Sequence, residues 1–352
     1  MEPVTHFLTG ACLARTGFNR RTAYATLAMT LAAEAPDLDV FWGFRGPVAG
    51  FEHHRGITHT FLGAPVVALA VTLVVWLWHR SRRKQPTLAP RWGLLWLLSL
   101  LAVLSHFFLD WTNNYGVRPF FPFNPRWYSL DIAFILEPVI FAALLTALVV
   151  PSIFGLADRE MGAGKPLFRG RGWAIAAMVL VGIDLGVRAV EHHRALRMIS
   201  NTRFGDQPLL RAGAEPYPVD PFRWFAVAET AGYYQTGSVN SRAETVDTDE
   251  RDDVIFKPPV TPATTAAKNS WLGRVYLDWA RFPVVTDRGH ANLVASDELA
   301  PQPQDSAVEF RDLRFAYGFL SRSRDSTALT AWVYVAPSGA IDAMVMNGRV
   351  QH

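Results

Sequence analysis

Three histidines and an arginine fall within the nine residues 52–60 (EHHRGITHT), immediately before the uncharged apolar run 61–78. Groups this polar at the lip of an apolar helix make either a hydrated connection or a site. A second concentration, 105–116 (SHFFLDWTNNYG), carries His106 and Asp110 four residues apart, so on a helix their imidazole and carboxylate share one face and can address one ion. His6 and the pair Asp37 and Asp39 add donors upstream. The single cysteine, Cys12, excludes an intramolecular disulfide and a cysteine-built zinc site, so any metal must be held by His, Asp and Glu. Nitrogen and oxygen donors without thiolate suit hydrolytic zinc, manganese or magnesium, and the imidazole share favours zinc.

The elements that must position these groups belong to a membrane protein. Of 352 residues, 50% are hydrophobic and only 18% charged, too apolar on average for an ordinary soluble enzyme. Runs at 61–78, 92–109, 132–154 and 173–187 approach the roughly 20 residues needed to cross a bilayer, so four spanning helices are expected in the first 190 residues. Arg80, Arg82, Arg83, Lys84 and Arg91 fill one intervening loop, and Arg159, Lys165, Arg169 and Arg171 fill another. The positive-inside rule makes both loops cytoplasmic. Topology thus accounts for the basic residues behind the net charge of +3, and nucleic acid is not an expected partner.

Residues 5–16 and 22–34 are helix-compatible but too short to span at about 1.5 Å per residue. They predict a hairpin dipping into the bilayer, with Arg20 and Arg21 at its cytoplasmic tip and Asp37 and Asp39 returned to the level of His6. Four polar clusters then meet at the non-cytoplasmic face: His6; Asp37 with Asp39; His53, His54, Arg55 and His59; His106 with Asp110. No cleavable signal peptide is evident, so the N-terminus is expected to be retained. Beyond about residue 200, alternating stretches at 222–229, 328–336 and 340–348 read as strands and 269–282 as a helix. The predicted fold is therefore an α-helical membrane bundle over 1–195, with about four transmembrane helices and a short N-terminal hairpin. A soluble α+β domain over 196–352 follows, expected in the periplasm.

In order and spacing, THFLTG (5–10), PDLD (36–39), HHRGITHT (53–60), SHFFLDWTNNYG (105–116) and RWYSLDIAFILEP (126–138) resemble the YdjM-type family, LexA-regulated inner-membrane proteins described as metal-dependent hydrolases. The resemblance is close to about residue 140 and looser beyond, where DLRF (312–315) is similar to an element of long family members. More distantly the pattern is similar to the all-α zinc-dependent phospholipase C group, whose N-terminal tryptophan ligand this chain lacks. The resemblance implies His6, Asp37, His59, His106 and Asp110 as metal ligands. Within H-R-G-x-T-H, His54 and Arg55 occupy recurring positions and are assigned to catalysis; Arg55 has the planar fork to take a phosphate oxygen. Asp39 is assigned to orienting a ligand histidine, and His53 occupies a variable position. Glu137, beside Pro138, is either a further ligand or a buried polar group at a helix irregularity. Asp184 and Arg188 are spaced for an intrahelical ion pair.

Two functions follow. The first is an inner-membrane hydrolase using a divalent metal on a lipid or lipid-linked phosphoester. The alternative is a non-catalytic membrane receptor or scaffold in which the ion staples the hairpin to the bundle, which a closed set of four protein ligands would mark.

Overall fold

Small residues decide how the first two helices pack. In a computed structural model of the chain, α1 (Pro3–Arg15) and α2 (Ala25–Glu34) form the expected hairpin. A Cβ placed on Gly10 would lie 2.5 Å from the Met29 carbonyl oxygen and 2.7 Å from the Ala33 Cβ. Only glycine permits this approach, and α2 answers it with buried Ala25, Ala28, Ala32 and Ala33. Close backbone contact of this kind is how apolar helices associate in a bilayer, where lipid tails are as greasy as leucine. The structure describes residues 1–160, 170–249, 253–291, 302–319 and 328–351, without the side chains of 157–159. Arg159, Lys165 and Arg169 of the second basic loop lie outside the described side chains.

Around the hairpin stand four helices long and apolar enough to cross a membrane: α4 (Gly63–Ser81), α5 (Trp92–Thr112), α6 (Pro138–Glu160) and α7 (Arg171–Asn201). The hairpin is the centre of this bundle. Ala28, Ala32, Ala68, Leu98 and Ala102 join α2 to α4 and α5 in one core cluster. Leu8, Cys12, Ile140, Leu144 and Val181 join α1 to α6 and α7 in another. Large apolar side chains on the outer faces, among them Val66, Leu73, Ile153 and Ile183, are exposed, as a lipid-facing surface requires. At the hairpin tip, Thr22 Oγ1 accepts the Arg91 N–H at 2.8 Å and Arg171 Nε donates to the Thr16 carbonyl at 2.8 Å. The tip, Arg91 and Arg171 therefore lie at one end of the bundle.

Two spans differ from the sequence reading. The third begins at Pro138 rather than 132, because Asn113 and Ala133 pair as an isolated bridge and the Leu130, Ile132 and Ala133 amides bond the carbonyls of Trp111 and Thr112. The fourth runs on to Asn201, well past 187, since no glycine or proline interrupts it after Gly186. In its last turns Ala195 and Ile199 are buried with Trp224 and Val239.

By contact density the chain divides into two compact units. One comprises Met1–Asp39, Arg55–His193 and Pro216–Phe222; the other comprises Val40–His54, Arg194–Glu215 and Arg223–His352. The second unit holds the expected α+β elements in two antiparallel sheets. The first sheet runs β1 (Arg211–Pro216), β2 (Arg223–Glu229), β3 (Tyr233–Asn240) and β4 (Thr245–Asp247), with β5 (Val254–Phe256) also paired to β3. The second orders β10-β9-β8-β7-β6, from β6 (Pro283–His290), β7 (Ser306–Asp312), β8 (Ala331–Val335), β9 (Ile341–Met346) and β10 (Arg349–Gln351). Asn347 and Gly348 both take positive φ, the two-residue turn that matches strand twist in a hairpin. The helical stretch expected at 269–282 is α9 (Trp271–Trp279), preceded by α8 (Pro262–Asn269) behind a Thr261 capping box. A short helix, α3 (Pro47–His53), also belongs to this unit.

Because α1 carries His6 and meets α2 through a glycine, Gly10→Ala should force the helices apart. A destabilisation of about 1–3 kcal/mol is expected for such overpacking, read as a lower thermal midpoint of the detergent-solubilised protein. An unchanged midpoint would show that the close approach is not needed.

Candidate metal centre

His106 and Asp110 share the inner face of α5, as their spacing predicts, and both are fully buried. The hairpin and the connection before α4 supply what faces them. Asp37 and Asp39 lie on the 3-10 segment Ala35–Arg45 that follows α2, and His59 ends the 3-10 turn Ile57–His59. One donor atom from each of Asp37, His59, His106 and Asp110 lies within 4.8 Å of the others.

Hydrogen bonding fixes which imidazole nitrogens face inward. His106 Nδ1 lies 2.7 Å from the Ala33 carbonyl oxygen; a carbonyl only accepts, so Nδ1 carries the proton and Nε2 presents a lone pair. His59 Nδ1 lies 3.3 Å from Asp39 Oδ2 and 3.1 Å from Thr58 Oγ1. Donation to that carboxylate leaves its Nε2 bare as well. These two acceptors stand 2.9 Å apart, each 3.4–3.5 Å from Asp37 Oδ1 and Asp110 Oδ2. Lone pairs from two imidazoles and two carboxylates repel unless a cation lies among them. Donors 2.0–2.1 Å from a tetrahedral zinc stand about 3.3 Å from one another, close to the four imidazole–carboxylate distances, while the two imidazole nitrogens are closer at 2.9 Å. The donor set therefore fits a divalent ion.

His6 comes to the other oxygen of Asp110. Its Nε2 lies 3.3 Å from Asp110 Oδ1, and its ring stacks on His106 with centroids 3.8 Å apart. Neither His6 nitrogen has a hydrogen-bond partner although the residue is fully buried, and Asp110 Oδ2 is likewise unpaired. Buried polar atoms without partners are costly, and a bound cation removes that cost. The Met1 amino group also contacts Asp110 Oδ1.

Arg55 sits differently from the sequence expectation. It is buried, and its NH1 donates to Asn113 Oδ1 at 3.1 Å and to the Gly116 carbonyl at 3.0 Å, while NH2 donates to Asp110 Oδ1 at 2.9 Å. Its guanidinium also stacks 4.7 Å from the Tyr115 ring centroid. Such a guanidinium orients Asp110 rather than reaching for a substrate oxygen. Its backbone is strained, with φ of 53°, and is held by donation of its N–H to Asp39 Oδ2 at 2.7 Å. Asp39 thus has two jobs, on His59 and on Arg55, consistent with its expected orienting role. His54 is the C-cap of α3 and falls in the second compact unit, as does His53, whose ring stacks on Trp42.

Glu137 joins a separate network. It pairs with Arg188 NH2 at 2.9 Å and accepts the Val219 N–H at 3.0 Å, while Arg188 Nε reaches Asp184 at 3.1 Å. The expected intrahelical pair is therefore part of a buried cluster. Asn113, Tyr115 and the Gly116 carbonyl, which grip Arg55, were not singled out as contributors; their signal was the polar TNNYG run directly after the Asp110 helix.

A helical membrane bundle with a histidine and aspartate cluster able to hold a metal ion is the class these features define. The chain belongs to the YdjM family: the sequence profile described as YdjM inner membrane protein matches residues 1–195. The chain is also similar to an uncharacterized protein of Bacillus subtilis (strain 168), YfhP, with 28% identity over 158 residues. That alignment covers 43% of this chain and 46% of the relative, so the chain spans about half the relative's length. No solved structure matches.

The substitutions should separate by role. His59→Ala and His106→Ala should abolish stoichiometric metal binding, measured by elemental analysis of purified protein. Asp39→Asn should keep the stoichiometry but weaken affinity roughly 10- to 100-fold, the usual effect of removing a partner that orients a ligand. His53→Ala should change neither, and full metal content in both ligand variants would dissolve the site.

Proposed function

We propose that this protein is an inner-membrane metal-dependent hydrolase, zinc being the favoured ion, that acts on a lipid or lipid-linked phosphoester at the non-cytoplasmic face. The observation that carries the reading is the surplus of donors. Four groups suffice to close a structural ion, yet His6 stands on the far oxygen of Asp110 with both ring nitrogens unpaired. A staple has no use for a fifth donor, here a third buried imidazole, whereas a reactive centre uses more than one donor set around a shared carboxylate.

A divalent ion held there would acidify a water molecule and polarise a phosphoryl or acyl oxygen. The chain's own residues divide the remaining work. Asp39 keeps the His59 Nε2 lone pair aimed inward by holding Nδ1. Arg55 fixes the Asp110 carboxylate and neutralises part of its charge; removing one partner of such a buried pair costs about 3–5 kcal/mol. Asp37 is the one ligand of the four-group cluster whose side chain is partly open, at 20% exposure against 0% for the others. It therefore marks the side from which solvent and substrate enter.

The surroundings of that side favour an amphiphile. Leu38 next to Asp37, and Ile57, Phe61 and Leu62 around His59, are all about half exposed or more. Apolar side chains bordering a polar site suit a substrate whose headgroup reaches the ion while its tail stays in lipid. The orientation rests on the positive-inside reading of the basic residues; of these Arg91 and Arg171 lie at the hairpin tip, the end of the bundle opposite to the cluster.

The near-tetrahedral spacing of Asp37, His59, His106 and Asp110 supports a second reading, a receptor or scaffold whose ion is purely structural. One experiment separates the two. Protein in lipid nanodiscs is offered a panel of bacterial phospholipids and lipid-linked phosphates, and release of headgroup or phosphate is measured with and without a chelator. Hydrolysis lost on chelation and regained on adding zinc is expected; metal-loaded protein that releases nothing from any substrate would favour the scaffold.

A further inference from the structure

Between α5 and α6 the chain builds a finger. Val117 and Tyr128 pair as an antiparallel bridge, each carbonyl accepting the other's N–H at 2.8 Å, so residues 118–127 are closed at their base. Arg118 lies buried across the two arms, its guanidinium 4.6 Å from the Trp127 ring centroid and 5.1 Å from that of Phe121. Pro119, Pro122 and Pro125 fix φ at three positions, and the Phe120 carbonyl accepts the N–H groups of both Phe123 and Asn124 at 3.0 Å. The result is a stiff projection with an apolar tip: Phe123 is 85% exposed and Phe120 45%.

Its height in the bilayer follows from α4. The 19 residues Gly63–Ser81 rise about 28 Å, close to the roughly 30 Å of hydrocarbon in a bilayer. Gly63 therefore stands at the hydrocarbon boundary and Phe61 just outside it. The Phe61 N–H donates to the Pro119 carbonyl at 3.1 Å, and its ring lies 5.7 Å from that of Phe120. The finger is thus at headgroup level, continuous through Phe61 and Leu62 with the exposed apolar face that α4 turns to lipid at Val66, Leu69 and Leu73. Its charge has one sign: from Trp111 to Leu130 there are two arginines, Arg118 and Arg126, and no aspartate or glutamate. Arg126 is exposed, 5.5 Å from the Tyr128 ring centroid. Aromatic rings at the membrane boundary with a cation beside them match the two parts of an anionic lipid, its acyl chains and its phosphate.

We propose that residues 118–127 are an interfacial finger that inserts Phe120 and Phe123 into the leaflet on the metal-site side and holds the phosphate of an anionic phospholipid at Arg126. The base of the finger is joined to the candidate site, because the Asn113 side chain and the Gly116 carbonyl just before it receive the Arg55 guanidinium. A lipid collected by the finger lies at the same face of the bundle as the donor cluster. The inference needs the membrane bundle but not the catalytic reading, and it holds equally for a scaffold.

Full-length protein carrying Phe123→Cys is labelled with an environment-sensitive fluorophore; Cys12 is fully buried, and wild-type protein reads any background labelling. The labelled protein is placed in phosphatidylcholine nanodiscs that contain a minor fraction of nitroxide-bearing phosphatidylcholine or phosphatidylglycerol. Quenching by the nitroxide lipids and protection from aqueous iodide are expected. The phosphatidylglycerol probe should be enriched roughly fivefold over the phosphatidylcholine probe, the scale of one arginine at an anionic lipid surface. Added to the labelled protein, Arg126→Gln should keep the protection and lose the enrichment, whereas Arg126→Lys should keep both. A label quenched by iodide and untouched by nitroxide lipid overturns the finger. Protection from both quenchers means that protein covers Phe123, a second copy or another chain, and overturns it equally. Equal quenching by the two lipids, or enrichment that survives Arg126→Gln, overturns the phosphate site at Arg126.

Discussion

Two imidazole Nε2 atoms, of His59 and His106, facing each other across 2.9 Å are the constraint on which the candidate site in the membrane half is built. The Ala33 carbonyl lies 2.7 Å from the outer nitrogen of His106 and the Asp39 carboxylate 3.3 Å from that of His59, so the neutral rings carry their protons outward and present lone pairs inward. Two carboxylates complete the set, of which Asp110 is fully buried and only Asp37 is partly open to solvent. In such surroundings charge and lone pairs must be compensated locally. A cation held among the four donors would turn the least favourable part of the bundle into the part that ties together α2, the connection before α4, and α5.

The same requirement explains why the hairpin lies at the centre of the bundle instead of at its edge. Ala33 sits where α2 meets α5, and its carbonyl reaches His106 where alanines of both helices, Ala28, Ala32 and Ala102, pack in one core. Asp37 and Asp39 follow α2 in the 3-10 segment that begins at Ala35, so the hairpin leads directly into both a candidate ligand and the residue placed to orient another. Arg55 then balances Asp110 from the opposite side. Each contact is short and local, yet the groups come from segments separated by tens of residues.

Much of this was legible in the sequence. His106 and Asp110 declare a shared helix face by their spacing, the four apolar runs are long enough to cross a bilayer, and residues 5–34 are too short in each half to do so. Four of the expected groups, Asp37, His59, His106 and Asp110, come within 4.8 Å of one another, and His6 lies beside Asp110. The role of Arg55 was not legible, since its side chain is captured by the Gly116 carbonyl and Asn113, and no spacing rule reports which backbone oxygen a folded loop will present. The path of 40–54 was equally hidden: its apolar residues read as part of the membrane half, and only tertiary contacts with Trp271, Trp279 and Gln351 draw it elsewhere. Glu137 could be recognised as a buried acid, but its partner Arg188 is brought to it by the packing of α6 and α7.

The central claim is that a divalent cation lies between His59 and His106. Crystals of the zinc-loaded protein, measured on both sides of the zinc absorption edge, test it directly. The account predicts an anomalous peak about 2 Å from Nε2 of both histidines and within bonding distance of Asp110 Oδ2. Density at that position with no anomalous signal, or imidazoles turned so that Nε2 donates to a protein oxygen, would contradict it.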